Sequence, residues 1–346
     1  MSGVVVRARP TADAKFGGYC MRLASLKSND RDGTLVVVDS TLSRAVAVPQ
    51  IAGTLQQALD NWSDCAPQLE AIGDALEAGR AEQTFALNHV RLASPLPRCY
   101  QFLDGSVYLS HMEKARRARG AAMPSNYATE PLMYQGLSDH FLAPADDVPM
   151  TDEALEIDLE AEVGVIVDDV PLGTTAEAAG THIKLLVLIN DWSLRGLTRV
   201  EVPRGFGFVQ SKPASALSPV AVTPDALGPA WDGRKLSLPL HSSINGEHFG
   251  QPQAGEDMYF DYCELIAHAA RTRALRAGTL IGAGTVSNRD AAAGYGCIAE
   301  ARTDELLADG EARTPFLKFG DVVRIEMFDA AGETIFGAIE QRIVAV

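Results

Sequence analysis

Hydrophobic and polar positions alternate most clearly over Ile157-Asp-Leu-Glu-Ala-Glu-Val-Gly-Val-Ile-Val167. The second half of this stretch is apolar and β-branched, the signature of a strand. Side chains on a strand alternate between faces, so the spacing predicts Asp158, Glu160 and Glu162 on one side. Three acids on one face repel one another, and a folded interior tolerates that badly. A hard divalent cation relieves the repulsion, because carboxylate oxygens are what Mg²⁺ or Ca²⁺ prefers. A solvated edge strand accounts for the same alternation. The stretch alone leaves both readings open.

Upstream, Arg22–Leu26 and Leu35–Val38 read as strands, joined through the turn-rich Ser28-Asn-Asp-Arg-Asp-Gly33. Apolar residues recur at helical spacing over Ile51–Trp62 and Ala66–Ala78. Residues 21–93 therefore read as a small α/β unit. Leu92-Ala-Ser-Pro-Leu-Pro-Arg98, with two prolines, reads as the boundary to a larger unit over 94–346. Met21 opens the first strand pattern and reads as a natural start. Residues 1–20 then form a loose extension, without the apolar run of a secretory signal. Beyond Pro95 the chain is mostly short strands between Gly, Pro, Asn and Asp turns. Leu185–Ile189, Val220–Val222, Leu236–Ser243 and Val322–Phe328 are examples, with helices expected at His111–Arg119, Thr175–Leu185 and Asp261–Arg273. The balance predicts an α+β, mostly β protein with antiparallel or mixed sheets, not a doubly wound one.

Length and charge narrow the class. A chain of 346 residues can hold two domains. A net charge of −15 and a pI near 4.9 argue against nucleic acid and anionic membranes as partners. They do not forbid a small anionic substrate, since a local cluster of Arg, Lys or metal can overrule the global field. The five cysteines are widely spaced and contain no C-x-x-C pair, which predicts free thiols in a reducing, cytoplasmic setting. No apolar run approaches the roughly 20 residues of a membrane span.

Further candidates for chemistry follow the acidic stretch. In Leu188-Ile-Asn-Asp-Trp-Ser-Leu-Arg195 an apolar strand ends at Asn190-Asp191, and Asp191 is a candidate fourth carboxylate. An Asx-turn or helix cap explains the same residues. Lys212 in Ser211-Lys-Pro213 follows the Gly-rich Gly205-Phe-Gly-Phe208 and reads either as pocket-facing or as a solvated lysine. Gly282-Ala-Gly-Thr-Val-Ser287 is a small-residue turn whose backbone N–H groups could cradle an anion, without the dinucleotide fingerprint. Asp104 and His111 stand seven apart, and a lone His is more often structural than catalytic.

Taken in order, Asp104…His111, Glu160-Ala-Glu162, Asn190-Asp-Trp-Ser-Leu-Arg195, Ser211-Lys212-Pro213, Gly284-Thr285 and Glu300 resemble the fumarylacetoacetate hydrolase family. The resemblance runs from about Pro95 to the C-terminus, and residues 21–93 resemble the small N-terminal domain of bacterial members. It implies a mixed β-roll catalytic domain carrying one Mg²⁺ or Ca²⁺, with Mn²⁺ admissible, usually in a homodimer. It implies Asp104, Glu160, Glu162 and Asp191 as metal ligands, and leaves Asp158 outside that set. It implies His111 and Glu300 as a water-activating dyad, and Arg195 and Lys212 as stabilisers of negative charge. It implies Tyr134 and Thr285 as substrate-binding residues. Arg119, before Gly120, matches a substrate arginine one residue out of register. Two positions depart from the mammalian pattern: Thr198 stands where a Gln is expected, and Ser106 where a Tyr is, with Tyr108 close by.

The chemistry this implies is cleavage of a C–C bond beside a carbonyl in a β-diketo acid. Fumarylacetoacetate would give fumarate and acetoacetate, a step of tyrosine and aromatic catabolism. An acylpyruvate hydrolase, or an isomerase or decarboxylase of aromatic catabolism, would use the same metal site. A non-catalytic paralogue that binds oxo-acids or only assembles is the alternative from another class. The presence of His111, Glu300 and four carboxylates together argues against it.

Overall fold

The computed structural model describes residues 20–118, 120, 122–136 and 139–346. Arg119 and residues 1–19 of the expected extension lie outside the described residues. In chain order the elements are β1 (Arg22–Leu26), β2 (Thr34–Val38), β3 (Arg44–Ala47), α1 (Leu55–Asp60), α2 (Trp62–Glu77), β4 (Phe85–Ala86), β5 (Phe102–Gly105), α3 (Leu109–Ala118), β6 (Met133–Gln135), β7 (Val148–Met150), β8 (Ile157–Asp158) and β9 (Ala161–Val167). They continue with α4 (Ala176–Ala179), β10 (Ile183–Asn190), β11 (Ser193–Leu194), α5 (Arg195–Glu201), β12 (Ala216–Leu217), β13 (Ala221–Val222), β14 (Leu240–Ile244), β15 (Glu247–Gly250), α6 (Tyr262–Ala269), β16 (Leu280–Gly282), α7 (Ile298–Asp309), β17 (Val322–Met327) and β18 (Ile339–Ala345).

The strands build an α+β fold with mixed sheets. The large sheet runs β4-β3-β2-β1-β13-β10-β9-β16-β5-β6, with β12 paired to β10. Its pairs are antiparallel except β5 with β16. A second sheet runs β15-β14-β17-β18-β7, where Asn245-Gly246, both at positive φ, make the β14–β15 hairpin. Alternation along β10 divides its side chains between two cores. Leu185, Val187 and Ile189 join the cluster closed by α1 and α2, while Leu186 and Leu188 join the one packed against the second sheet. Burial on both faces is why β10 reads as a continuous apolar run. The first strands enter the same sheet through β1, whose Leu23 stands opposite Ala221 of β13.

Several expected elements differ in extent, among them the helix expected over Asp261–Arg273, which ends at Ala269, and the strand expected over Leu236–Ser243, which begins at Leu240; three more differ for a visible reason. The stretch 157–167 is two strands, because β8 pairs with β11 while β9 turns into the large sheet between β10 and β16. At the break, the Glu160 N–H donates to the Asn190 side chain at 3.1 Å instead of to a neighbouring strand. The helix expected over Thr175–Leu185 stops at Ala179 and tightens into a 3₁₀ turn through His182. From Ile183 onward, pairing with β9 overrides the helical spacing. The helix expected from Ile51 begins at Leu55, where the Thr54 hydroxyl accepts the Gln57 N–H at 3.2 Å and caps it.

Because Leu23 of β1 shares a core with Leu185 and Leu280, urea unfolding should follow one transition by far-ultraviolet circular dichroism and by tryptophan fluorescence. Leu23→Ala should lower stability by about 2–5 kcal/mol on both probes together. Two separated transitions would show that residues 21–93 unfold on their own.

Candidate active site

Strands β5, β9 and β16 lie side by side, with Gly282 in register with both Asp104 and Gly164. A Cβ on Gly282 would stand 2.4 Å from Asp104 Oδ1 and 3.1 Å from Glu162 Oε2, so the glycine makes room for two carboxylates. Gly284 has φ +88°, and a Cβ there would meet the Gly105 carbonyl oxygen at 2.4 Å. Its N–H donates to Asp104 Oδ1 at 3.1 Å. Asp191 follows the end of β10. One oxygen each from Asp104, Glu162 and Asp191 lie within 4.8 Å of one another, and all three side chains are buried.

Asp191 is well held. Oδ1 accepts from Ser215 Oγ at 2.5 Å, and Oδ2 accepts from the Tyr134 hydroxyl at 2.8 Å and from Lys212 Nζ. That leaves about one of its four lone-pair directions open. Glu162 is the opposite case: neither oxygen accepts from an N–H or hydroxyl donor among the described residues, and it stands carboxyl to carboxyl with Asp104. Burial first, then the charges of Asp104 and Asp191, push its carboxyl well above the usual range. Burial and then Asp191 push Asp104 up to about 7. An unpaired buried carboxylate is costly, and the donors here are oxygen only. This set fits a hard divalent cation of the Mg²⁺, Ca²⁺ or Mn²⁺ type.

Glu160 stands outside that trio. Its Oε1 accepts from Arg195 Nη2 at 2.6 Å and its Oε2 from Lys212 Nζ at 2.5 Å. Burial alone would raise its pKa, but Arg195 and Lys212 outweigh it and hold the carboxyl well below the usual range. Lys212 stays charged in turn: Asp191 and Glu160 outweigh its burial. Asp158, which the family motif leaves aside, is fully buried. It accepts from Arg195 Nε at 2.8 Å and from the Ile298 and Ala299 N–H groups at 2.7 and 3.0 Å. Asp158 thus fixes Arg195 and also the start of α7, where a carboxylate suits the helix N-terminus. A second anchor escapes sequence reading. Glu201 accepts from the Val209, Gln210 and Ser211 N–H groups and from Ser211 Oγ, tying down the loop that delivers Lys212.

His111 on α3 meets Glu300 on α7, with Nδ1 to Oε1 at 3.3 Å and the contact not aligned as a hydrogen bond. The Ser287 hydroxyl donates to the same Glu300 oxygen at 2.6 Å. Burial would raise the Glu300 pKa, but His111 and then Lys114 and Ser287 hold it below the usual range. Asp104 and Glu162 of the trio, and both members of the dyad, line one cavity of about 630 Å³, whereas Asp191 is buried and does not line it. Tyr134, Thr285, Ser106, Thr198, Arg195 and Lys212 also line it. Tyr134 packs edge-on against Phe208, with ring centroids 4.7 Å apart. Tyr108 does not reach the cavity; it is core, donating to the Ala254 carbonyl at 2.5 Å. Arg116, Arg199, Phe208, Arg302 and Phe316 line the cavity without a sequence signal beforehand.

The family model described as "Fumarylacetoacetate (FAA) hydrolase C-terminal" matches residues 101–344, and "Fumarylacetoacetase N-terminal domain 2" matches residues 21–98. The chain belongs to the fumarylacetoacetate hydrolase family. It is 28% identical over 160 residues to a 2,4-didehydro-3-deoxy-L-rhamnonate hydrolase of Sphingomonas sp. (strain SKA58), covering 45% of this chain and 53% of that one. It is 30% identical over 213 residues to a fumarylacetoacetase of Caenorhabditis elegans, covering 53% and 50%. The chain thus spans about half the length of these curated relatives. The structure of maleylpyruvate hydrolase from Sphingobium sp. SYK-6, in complex with manganese(II) and pyruvate, shares the fold with TM-score 0.62 and 17% identity, covering 94% of this chain and 99% of that one.

Glu162→Gln should leave the melting temperature of the metal-free protein within about 2 °C of wild type, because burial and the neighbouring acids already press this carboxyl towards the neutral form that an amide imitates. Calorimetry should show divalent cation affinity falling at least ~10-fold. The pH dependence has a definite sign. Folded Asp104 keeps, up to about pH 7, a proton that the unfolded chain releases near its ordinary value of 3.8. Its share of the metal-free stability therefore falls as pH rises from about 4 to 7. Relative to Asp104→Asn, chelated wild type should lose melting temperature between pH 5 and pH 8. A wild type that gains on Asp104→Asn over that range contradicts the assignment.

Proposed function

We propose that this chain is a divalent-metal-dependent hydrolase that cleaves a C–C bond in a β-diketo acid, with fumarylacetoacetate as the preferred reading and fumarate and acetoacetate as products. The observation that carries it is the buried trio Asp104, Glu162 and Asp191, of which Asp104 and Glu162 line the same cavity as the His111–Glu300 contact. Asp104, Glu162 and Asp191 would hold the cation, with Glu160 supporting through Lys212. A bound divalent cation draws electron density from carbonyl oxygens and favours the enolate charge of the departing group.

The chain's own residues supply the rest. With Nδ1 turned to Glu300, His111 has Nε2 left to take a proton from water. Glu300 orients the ring and stabilises the imidazolium. Lys212 spends two of its three N–H groups on Glu160 and Asp191, and the third is available to a tetrahedral oxyanion. Arg195, held by Asp158 and Glu160, adds positive charge at the same wall. Tyr134 and Thr285 position the substrate.

A second reading, hydrolysis of an acylpyruvate, is favoured by Ser106 and Thr198 on the cavity wall, since both depart from the fumarylacetoacetase pattern. The maleylpyruvate hydrolase with the same fold supports it as well. We further propose a cytoplasmic homodimer. Val202, Phe206 and Val209 are exposed next to the cavity, an apolar row a second copy would cover. Light scattering at micromolar concentration should give twice the chain mass.

Incubation with fumarylacetoacetate and with acylpyruvates, with and without Mg²⁺, should give two acids from one substrate only when the metal is present. Release of CO₂ without a second acid would make the protein a decarboxylase. His111→Ala should lower kcat by about 10²–10⁴-fold with cation affinity unchanged. Adding Glu300→Gln should cost less than the product of the single effects. Near-wild-type kcat in His111→Ala would place the base elsewhere.

A further inference from the structure

Cys297 sits immediately before α7, fully buried, in no disulfide, and unused by the reaction proposed above. One donor atom each from His111, Cys297 and Glu300 lie within 4.8 Å of one another. His111 Nδ1 and Glu300 Oε1 are 3.3 Å apart, and Nδ1 is buried with no aligned hydrogen bond among the described residues. That spacing has a second meaning. In a tetrahedral zinc site with Zn–N and Zn–O bonds of about 2.0–2.1 Å, two such ligands stand about 3.3–3.4 Å apart. A sulfur ligand at about 2.3 Å from zinc stands about 3.5 Å from each. The nitrogen and oxygen are already at ligand spacing, and the Cys297 sulfur lies within 4.8 Å of a ligand atom of each of the two residues.

We propose that His111, Cys297 and Glu300 form a second metal site, which takes a thiophilic divalent cation of the Zn²⁺ class. Its nitrogen, sulfur and oxygen donors suit Zn²⁺, whereas the all-oxygen trio of Asp104, Glu162 and Asp191 suits a harder ion. Three protein ligands leave a fourth position for water on the side where His111 borders the cavity. Binding converts the Cys297 thiol to a thiolate and releases its proton to solvent. Zn²⁺ bound there occupies the imidazole and carboxylate of the dyad, so it would inhibit hydrolysis. That consequence rests on the proposed function; the binding itself does not.

The test uses the full-length protein saturated with Mg²⁺ and titrated with Co²⁺, whose thiolate charge-transfer absorption reports sulfur ligation. The expected result is one Co²⁺ per chain with a thiolate band. The band should be displaced by Zn²⁺, abolished by Cys297→Ala and retained by Asp104→Asn. Should Cys297→Ala fail to fold, His111→Gln, at a partly exposed position, should weaken Co²⁺ binding at least ~10-fold and alter the band. A Co²⁺ complex without a thiolate band, a band that survives Cys297→Ala, unchanged affinity in His111→Gln, or a band lost in Asp104→Asn would each overturn the proposal. None of these readouts depends on turnover.

Discussion

Charge imbalance in a buried place is the constraint on which the site depends. Asp104, Asp158, Glu160, Glu162 and Asp191 are all buried at one end of the large sheet, and among the described residues Arg195 and Lys212 are the cations that form ion pairs with them. Two cations cannot neutralise five carboxylates. Arg195 and Lys212 settle on Asp158, Glu160 and Asp191, and the deficit falls on Asp104 and Glu162. Their raised proton affinities and the carboxyl-to-carboxyl contact of Asp104 with Glu162 are two expressions of that deficit. Protons relieve it without metal, and a divalent cation relieves it better, since it satisfies several oxygens at once.

The rest of the local structure keeps this arrangement from collapsing. Gly282 gives the carboxylates room, and Gly284 reaches a conformation that lets its N–H hold Asp104. Asp158 links Arg195 to the start of α7, and so ties the wall that carries positive charge to the helix that carries Glu300. Glu201 fixes the loop before Lys212 in the same way. These contacts are with backbone N–H groups and small turns, and they position the site without touching substrate.

Much of this was legible beforehand, for physical reasons. Alternation marks Glu162 and the strand end marks Asp191, Asp104 enters the set through the family motif, and the structure brings the three together. The pairing of His111 with Glu300 came from the family motif, since 189 residues apart no spacing rule connects them. What alternation alone missed is where a strand changes sheet. A period of two cannot register the break at Leu159-Glu160, which depends on β11 being available to pair with β8. The same holds for Ile183, whose helical spacing yields to pairing with β9. Anchors such as Glu201 and the role of Asp158 depend on backbone donors brought near by tertiary folding, and backbone donors carry no residue code.

The most direct measurement is calorimetric titration of the metal-free protein with Mg²⁺ at pH 7 in buffers of different ionisation enthalpy, which counts protons released per cation bound. If the trio holds protons in place of the cation, one Mg²⁺ per chain should bind with net proton release, and Glu162→Gln should reduce both affinity and release. Tight Mg²⁺ binding with no proton release, unaffected by Glu162→Gln, would contradict the account.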